Sequence, residues 1–146
     1  MLSPRSRYAL RALTHLAECA GGGLVSVGDI ATGQRVPRKF LELILLDLKG
    51  AGLIESQRGR AGGYRLARPA REISFGAVIR LLDGPLALLP CASQTAYRAC
   101  GDCVHEASCA IRRVLGEVRD EAARILDAFT LEDARSVEAR SYLDAA

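Results

Sequence analysis

Four of the five cysteines in this 146-residue chain, Cys91, Cys100, Cys103 and Cys109, fall within nineteen residues, CASQTAYRACGDCVHEASC. Thiolates are soft ligands that suit iron-sulfur clusters and zinc, and they also exchange between thiol and disulfide. Cys100 and Cys103 make a C-x-x-C step able to place two thiolates on one metal. Cys109 stands where a long helical pattern begins, so the helix dipole favours its thiolate form. His105 and Glu106 share the stretch, although a loop histidine is more often simply solvated. Cys19, far off in the first helix, reads as a small buried residue. On the residues alone three uses stay open: an iron-sulfur cluster of two or four irons, a structural zinc site, and a metal-free disulfide switch.

An enzyme or electron carrier built on the C-x-x-C step is the rival class. No predicted strand leads into Cys100, no glycine motif cradles a phosphate, and Ser, His and Asp are too sparse to suggest a triad. Composition points instead to a globular protein, with 49% apolar and 25% charged residues and no low-complexity tract. The longest uncharged run, Gly84 to Tyr97, holds two prolines and is 14 residues long, against roughly 20 needed to span a membrane. Arg5, Arg7 and Arg11 interrupt any signal peptide. A cytoplasmic protein is expected, and there clustered cysteines are more often ligands or sensors than structural disulfides.

Charge divides the chain. Residues 1–84 carry 13 Lys/Arg against 7 Asp/Glu, whereas residues 85–146 carry 7 against 10. Within residues 35–71 the count is nine basic to three acidic, a local field that attracts a polyanion such as double-stranded DNA.

The elements that carry these charges follow from capping and periodicity. Ser3-Pro4 starts a first helix with Leu10, Leu13, Leu16 and Ala20 on one face, and Gly21-Gly22-Gly23 ends it. Ser26 with Asp29 starts a short second helix to about Gln34. Phe40, Leu41, Ile44, Leu45 and Leu48 then form the apolar face of a third, after a turn bracketed by Gly33 and Pro37. Leu53–Arg58 and Tyr64–Ala67 read as two strands joined by Gly59-Arg60-Ala61-Gly62-Gly63, whose glycines suit a hairpin with positive φ angles. Helix, turn, helix and an arginine-tipped hairpin suit a winged helix, its third helix in the major groove. Ser74 caps a fourth helix, Phe75 to Asp83, with Val78, Ile79 and Leu82 inward. From Ile111 to Phe129 an apolar stripe runs along the longest helix, and part of it is expected to meet a second subunit. Thr130 with Asp133 caps a short last helix.

The sequence resembles the Rrf-two family of bacterial transcription regulators from its first helix to about residue 135. The matching marks are Arg7-Tyr8-Ala9-Leu10-Arg11-Ala12-Leu13, Asp29-Ile30-Ala31, Phe40-Leu41-Glu42, Leu48 to Ile54, and above all Arg58-Gly59-Arg60-Ala61-Gly62-Gly63-Tyr64-Arg65-Leu66-Ala67-Arg68. The resemblance implies a mainly α fold with a small β-hairpin: a winged helix-turn-helix head over 1–84, a cysteine-rich loop over 85–109, and a dimerisation helix with a short C-terminal helix over 110–146. It implies a homodimer on a palindromic operator, activating or repressing, with an iron-sulfur cluster in many members.

The family's recognition contacts fall on Arg38, Lys39, Glu42 and Leu43 and its wing arginine on Arg58. Arg35, Arg60 and Tyr64 complete the expected DNA-binding set, although a wing tyrosine as often packs on its own hairpin. Leu43 is a departure, because relatives often have a polar residue there. Of the ligands the family implies, Cys103 and Cys109 keep the expected spacing and Cys91 lies at the expected distance from Asp83. An insertion before Cys103 brings Cys100, the candidate for a fourth ligand. Arg7, Arg11 and Arg112 stand where some relatives have other fourth ligands, and none of them can bind iron.

Overall fold

Ser3, Ser26 and Ser74 cap three helices as expected, each hydroxyl accepting from the backbone N–H three residues on, at Ser6, Asp29 and Ala77. Such a cap is worth about 1 kcal/mol. The computed structural model describes the backbone of residues 2–144 and the side chains of residues 2–137. Its elements run α1 (Pro4–Glu18), α2 (Val27–Gln34), α3 (Arg38–Gly50), β1 (Ile54–Gln57), β2 (Gly63–Leu66), α4 (Phe75–Asp83), α5 (Ala110–Ala128) and α6 (Leu131–Asp144). The fold is mainly helical with one antiparallel hairpin, a winged helix-turn-helix with a long additional helix.

α1 lies at the centre of the head. Leu13 and Leu16 on its inner face meet Ile30 of α2, Leu41, Ile44, Leu45 and Leu48 of α3, and Val78 of α4, all buried. Phe40, expected on the inner face of α3, is instead 38% exposed, because its ring leans edge-on against Tyr8 with centroids 5.8 Å apart. Between α2 and α3 the chain turns through Arg35, at φ 51° and ψ 47°. This left-handed conformation is usually left to glycine.

The hairpin pairs Ile54 with Leu66 and Gln57 with Gly63. Its glycines differ in purpose from the expectation. Only Gly59 takes a positive φ, 116°. Gly63 lies within the strand, where a Cβ would come 2.5 Å from the Val25 carbonyl oxygen. At Gly62 a Cβ would collide with the Gln57 carbonyl oxygen. Both are required for close backbone approach rather than for a left-handed turn.

α5 stands apart from this core, with none of its residues buried. It is joined to the head at its C-terminal end. The Phe75 N–H donates to the Phe129 carbonyl at 2.9 Å, the two rings meet edge-on at 5.0 Å, and Arg80 holds Asp127 through two hydrogen bonds of 2.6 and 2.8 Å. α6 then returns to α1, burying Leu131 and Ala134 in the head. Thr130 caps it, its N–H and hydroxyl both donating to Asp133.

Candidate functional site

Two surfaces carry the chemistry, the cysteine loop over the start of α5 and the basic face of α3 and the hairpin. The loop leaves α4 at Gly84 and makes a 3-10 turn at Pro90–Ala92 that buries Cys91. A longer excursion follows, and the Arg98 N–H returns to the Pro90 carbonyl at 3.2 Å. This folds the inserted segment back on itself and sets Cys100 Sγ 3.3 Å from Cys91 Sγ. Cys103 is exposed. Cys109 caps α5, its sulfur accepting from the Arg112 N–H at 3.5 Å. Of the four expected cysteines, Cys91 and Cys100 are thus brought into contact. Among the described residues no three His, Cys, Asp or Glu side chains form a metal cage.

Crowding shows in the thiols. Cys100 is pushed up to about 11, first by its hydrogen bond with Cys91, then by burial and by the charges of Cys91, Cys103 and Asp102. Desolvation raises Cys103, with Cys109 adding to the effect. The donor set fits a soft cation: two sulfurs on one tetrahedral ion stand about 3.8 Å apart when each metal–sulfur bond is about 2.3 Å, so the Cys91–Cys100 pair, at 3.3 Å, would open slightly to share one ion. His105 is exposed. Glu106 is engaged, accepting from Tyr97 Oη at 2.7 Å and pairing with Arg112 at 3.2 Å. Its carboxylate in turn raises the Tyr97 phenol.

Arg112 and Arg119 join the loop to α5, a role not foreseen from the sequence. Arg112 Nε donates to the Cys91 carbonyl at 3.0 Å, and Arg119 donates to the Ala92 carbonyl. Their spacing of seven residues was the available signal, since it places both on one helix face. Beside them lies an open cavity of about 520 Å³ reached by Cys91, Cys109, Arg112 and Arg119. Cys19, expected to be buried, is half-exposed, with its sulfur 4.0 Å from His15 Nε2.

On the other surface, Arg35, Arg38, Lys39 and Glu42 are exposed around the start of α3. Pro37 caps that helix without a side-chain hydrogen bond, so its first N–H groups are available to an anion. Arg38 Nε pairs with Glu42 Oε1 at 3.1 Å. Arg58 and Arg60 are exposed in the hairpin, whereas Tyr64 is half-buried, packs against the core and bonds Val25 through its backbone. A cleft of about 370 Å³ separates α3 from the hairpin, bordered by Leu46, Lys49, Ser56 and Arg58. Lys49 bridges it, donating to Ser56 Oγ at 2.7 Å.

A helix-turn-helix on a three-helix core, followed by a hairpin with arginines at its tip, defines a winged-helix DNA-binding protein. Residues 2–135 match the family model described as Rrf2, iron-dependent transcriptional regulator. An rrf2-like HTH-type regulator of Rhodobacter capsulatus is 44% identical over 136 residues, covering 91% of each chain. Two solved structures superpose well. CymR, the global cysteine regulator of B. subtilis, gives a TM-score of 0.78 at 31% identity over 94% of this chain and 97% of its own. IscR of T. potens gives 0.75 at 29% identity over 94% and 88%. The chain belongs to the Rrf2 family of DNA-binding transcriptional regulators, and it is a regulator rather than an enzyme. No described helix is long and apolar enough to cross a membrane.

Proposed function

We propose that this regulator senses iron, redox or nitric-oxide status through an iron-sulfur cluster held by Cys91, Cys100, Cys103 and Cys109. The observation that carries the reading is the approach of Cys100 to 3.3 Å from Cys91, made by the inserted segment in the loop that leads to Cys109 at the start of α5. Four thiolates serve a two-iron or a four-iron cluster alike. When bound, the cluster supplies a cationic, redox-active centre that offsets the repulsion among four thiolates.

The chain's own residues then couple loop to head. Arg112 and Arg119 hold the Cys91 and Ala92 carbonyls to the first turns of α5, so a reordered loop pulls on that helix. At its other end, Arg80 with Asp127 and Phe75 with Phe129 pass the movement to α4. Ile111, Val114, Val118 and Ile125, 46–65% exposed along one stripe of α5, form the homodimer contact and fix the spacing of two heads on a palindromic operator. On DNA, Arg38 and Lys39 donate to guanine edges or phosphates, Glu42 accepts from cytosine, and Arg35, Arg58 and Arg60 meet phosphates. Tyr64 positions the wing from within. Regulation follows only from a difference in DNA affinity between the two loop states.

A second reading, a metal-free thiol/disulfide switch, draws on the same 3.3 Å separation, because a small closure would join Cys91 to Cys100. Structural zinc is the third. Anaerobic purification with an absorption spectrum and iron, sulfide and zinc counts tests all three. A brown protein with matched iron and sulfide is expected. A colourless one with stoichiometric zinc, or with no metal and a Cys91–Cys100 disulfide, overturns the cluster.

A further inference from the structure

The outer face of α3 carries an apolar pair that its basic groups leave unused. Lys39, Glu42, Leu43, Leu46 and Lys49 follow the spacing that places residues on one side of a helix, opposite the buried Leu41, Ile44, Leu45 and Leu48. Leu43 is 59% and Leu46 64% exposed. Two leucines so placed are not part of the fold's core, and the charge around them argues for what covers them. Arg35, Arg38 and Lys39 lie at one end of the helix, and Lys49, with Arg58 across the cleft, lies toward the other. That cationic rim matches the phosphates on either side of a major groove, not an apolar protein surface. Inside the groove the sole apolar group on a base edge is the C5-methyl of thymine.

The pair is also unequal. Leu46 borders the cleft between α3 and the hairpin, facing the groove wall. Leu43 lies one turn nearer the helix start, outside that cleft, where recognition helices reach base edges. Glu42 beside it is engaged by Arg38, whereas Leu43 presents only apolar surface, 59% exposed.

We infer that Leu43 reads a thymine methyl in the major groove, making this chain selective for thymine at that base pair through an apolar contact. The inference rests on the DNA-binding reading of α3. Leucine satisfies no polar group of either base, so the discrimination against cytosine is the methyl contact that cytosine lacks.

The test uses the full chain and needs no known operator. Selection from randomised duplex DNA yields a consensus, and each thymine in it is replaced in turn by deoxyuridine, which removes only the methyl and leaves base pairing intact. One position per half-site is expected to lose about four-fold in affinity, the effect of withdrawing one buried methyl-sized group. Leu43→Ala is expected to bind the thymine duplex more weakly and to lose the distinction between thymine and deoxyuridine there. Position 43 is exposed on a helix, so alanine leaves the fold intact. Equal affinity for every deoxyuridine duplex overturns the inference while DNA binding stands. A penalty that persists in Leu43→Ala overturns it too, assigning the methyl to another residue or to DNA shape. Failure to select any duplex overturns the DNA-binding reading of α3 itself, and the inference with it.

Discussion

Gly76, in the first turn of α4, sits against the joint between the head and α5, and replacing it with alanine tests that joint. A Cβ there would fall 3.0 Å from Arg80 Nη1 and 3.1 Å from Asp127 Cγ, and would overlap Asp127 Oδ1 outright. The Asp127 carboxylate must swing away, breaking the two-pronged pair with Arg80. Those side chains are 35% and 47% exposed, so solvent screening limits the loss to about 1 kcal/mol. Alanine also favours helix over glycine, by about 0.5 kcal/mol at a first-turn position. The net effect of Gly76→Ala is therefore a destabilisation of about 0.5 kcal/mol, from those two opposing effects. In an Asp127→Ala background the overlap is gone, and the same change should stabilise by about 0.5 kcal/mol. Urea unfolding of the four proteins at pH 7, at one protein concentration, measures both values. The sign reversal is the signature. An equal effect of Gly76→Ala in the two backgrounds, within about 0.3 kcal/mol, refutes the steric coupling. Acid provides a second check. The hydrogen bond from Arg80 holds the Asp127 carboxyl below its ordinary range. The pair's contribution is thus complete above the unfolded carboxyl value of about 3.9 and disappears as pH falls through the lower folded value.

Arg58→Ala should weaken binding to all duplexes alike and flatten the plot of log affinity against log salt by about 0.9 for each phosphate that the arginine neutralises. An unchanged slope places Arg58 away from phosphate. Cys100→Ser should yield protein with less iron and sulfide and faster bleaching in air, read by absorption. Full retention of the cluster moves the fourth ligand to Glu106, His105 or another donor.

The head was legible because its signals are local. Serine caps, glycine stops and a 3.6-residue apolar period act within one turn of the chain, and they placed α2 to α4 and the starts of α1 and α6 where the structure has them; Ala20, expected on the face of α1, lies exposed beyond its end, and the last helix, expected to be short, runs for 14 residues. The hairpin was legible in kind but not in detail. Gly62 and Gly63 look like turn glycines in sequence, and only the approach of Val25 and Gln57 shows that they are spaces for backbone. Phe40 has the period of a core residue, yet it lies 38% exposed with its ring against Tyr8.

By itself the sequence determined that four thiols lie close along the chain at the entry to a long helix, and that a basic helix-turn-helix with a glycine-rich wing precedes them. Tertiary structure decided that Cys100 meets Cys91, because an approach across nine residues of irregular loop depends on how the loop folds back. It also decided that Arg112 and Arg119 fasten the loop, that α6 rejoins α1, and that Leu43 and Leu46 face outward. Composition reports which groups a chain carries, but partners distant in sequence are fixed only by packing.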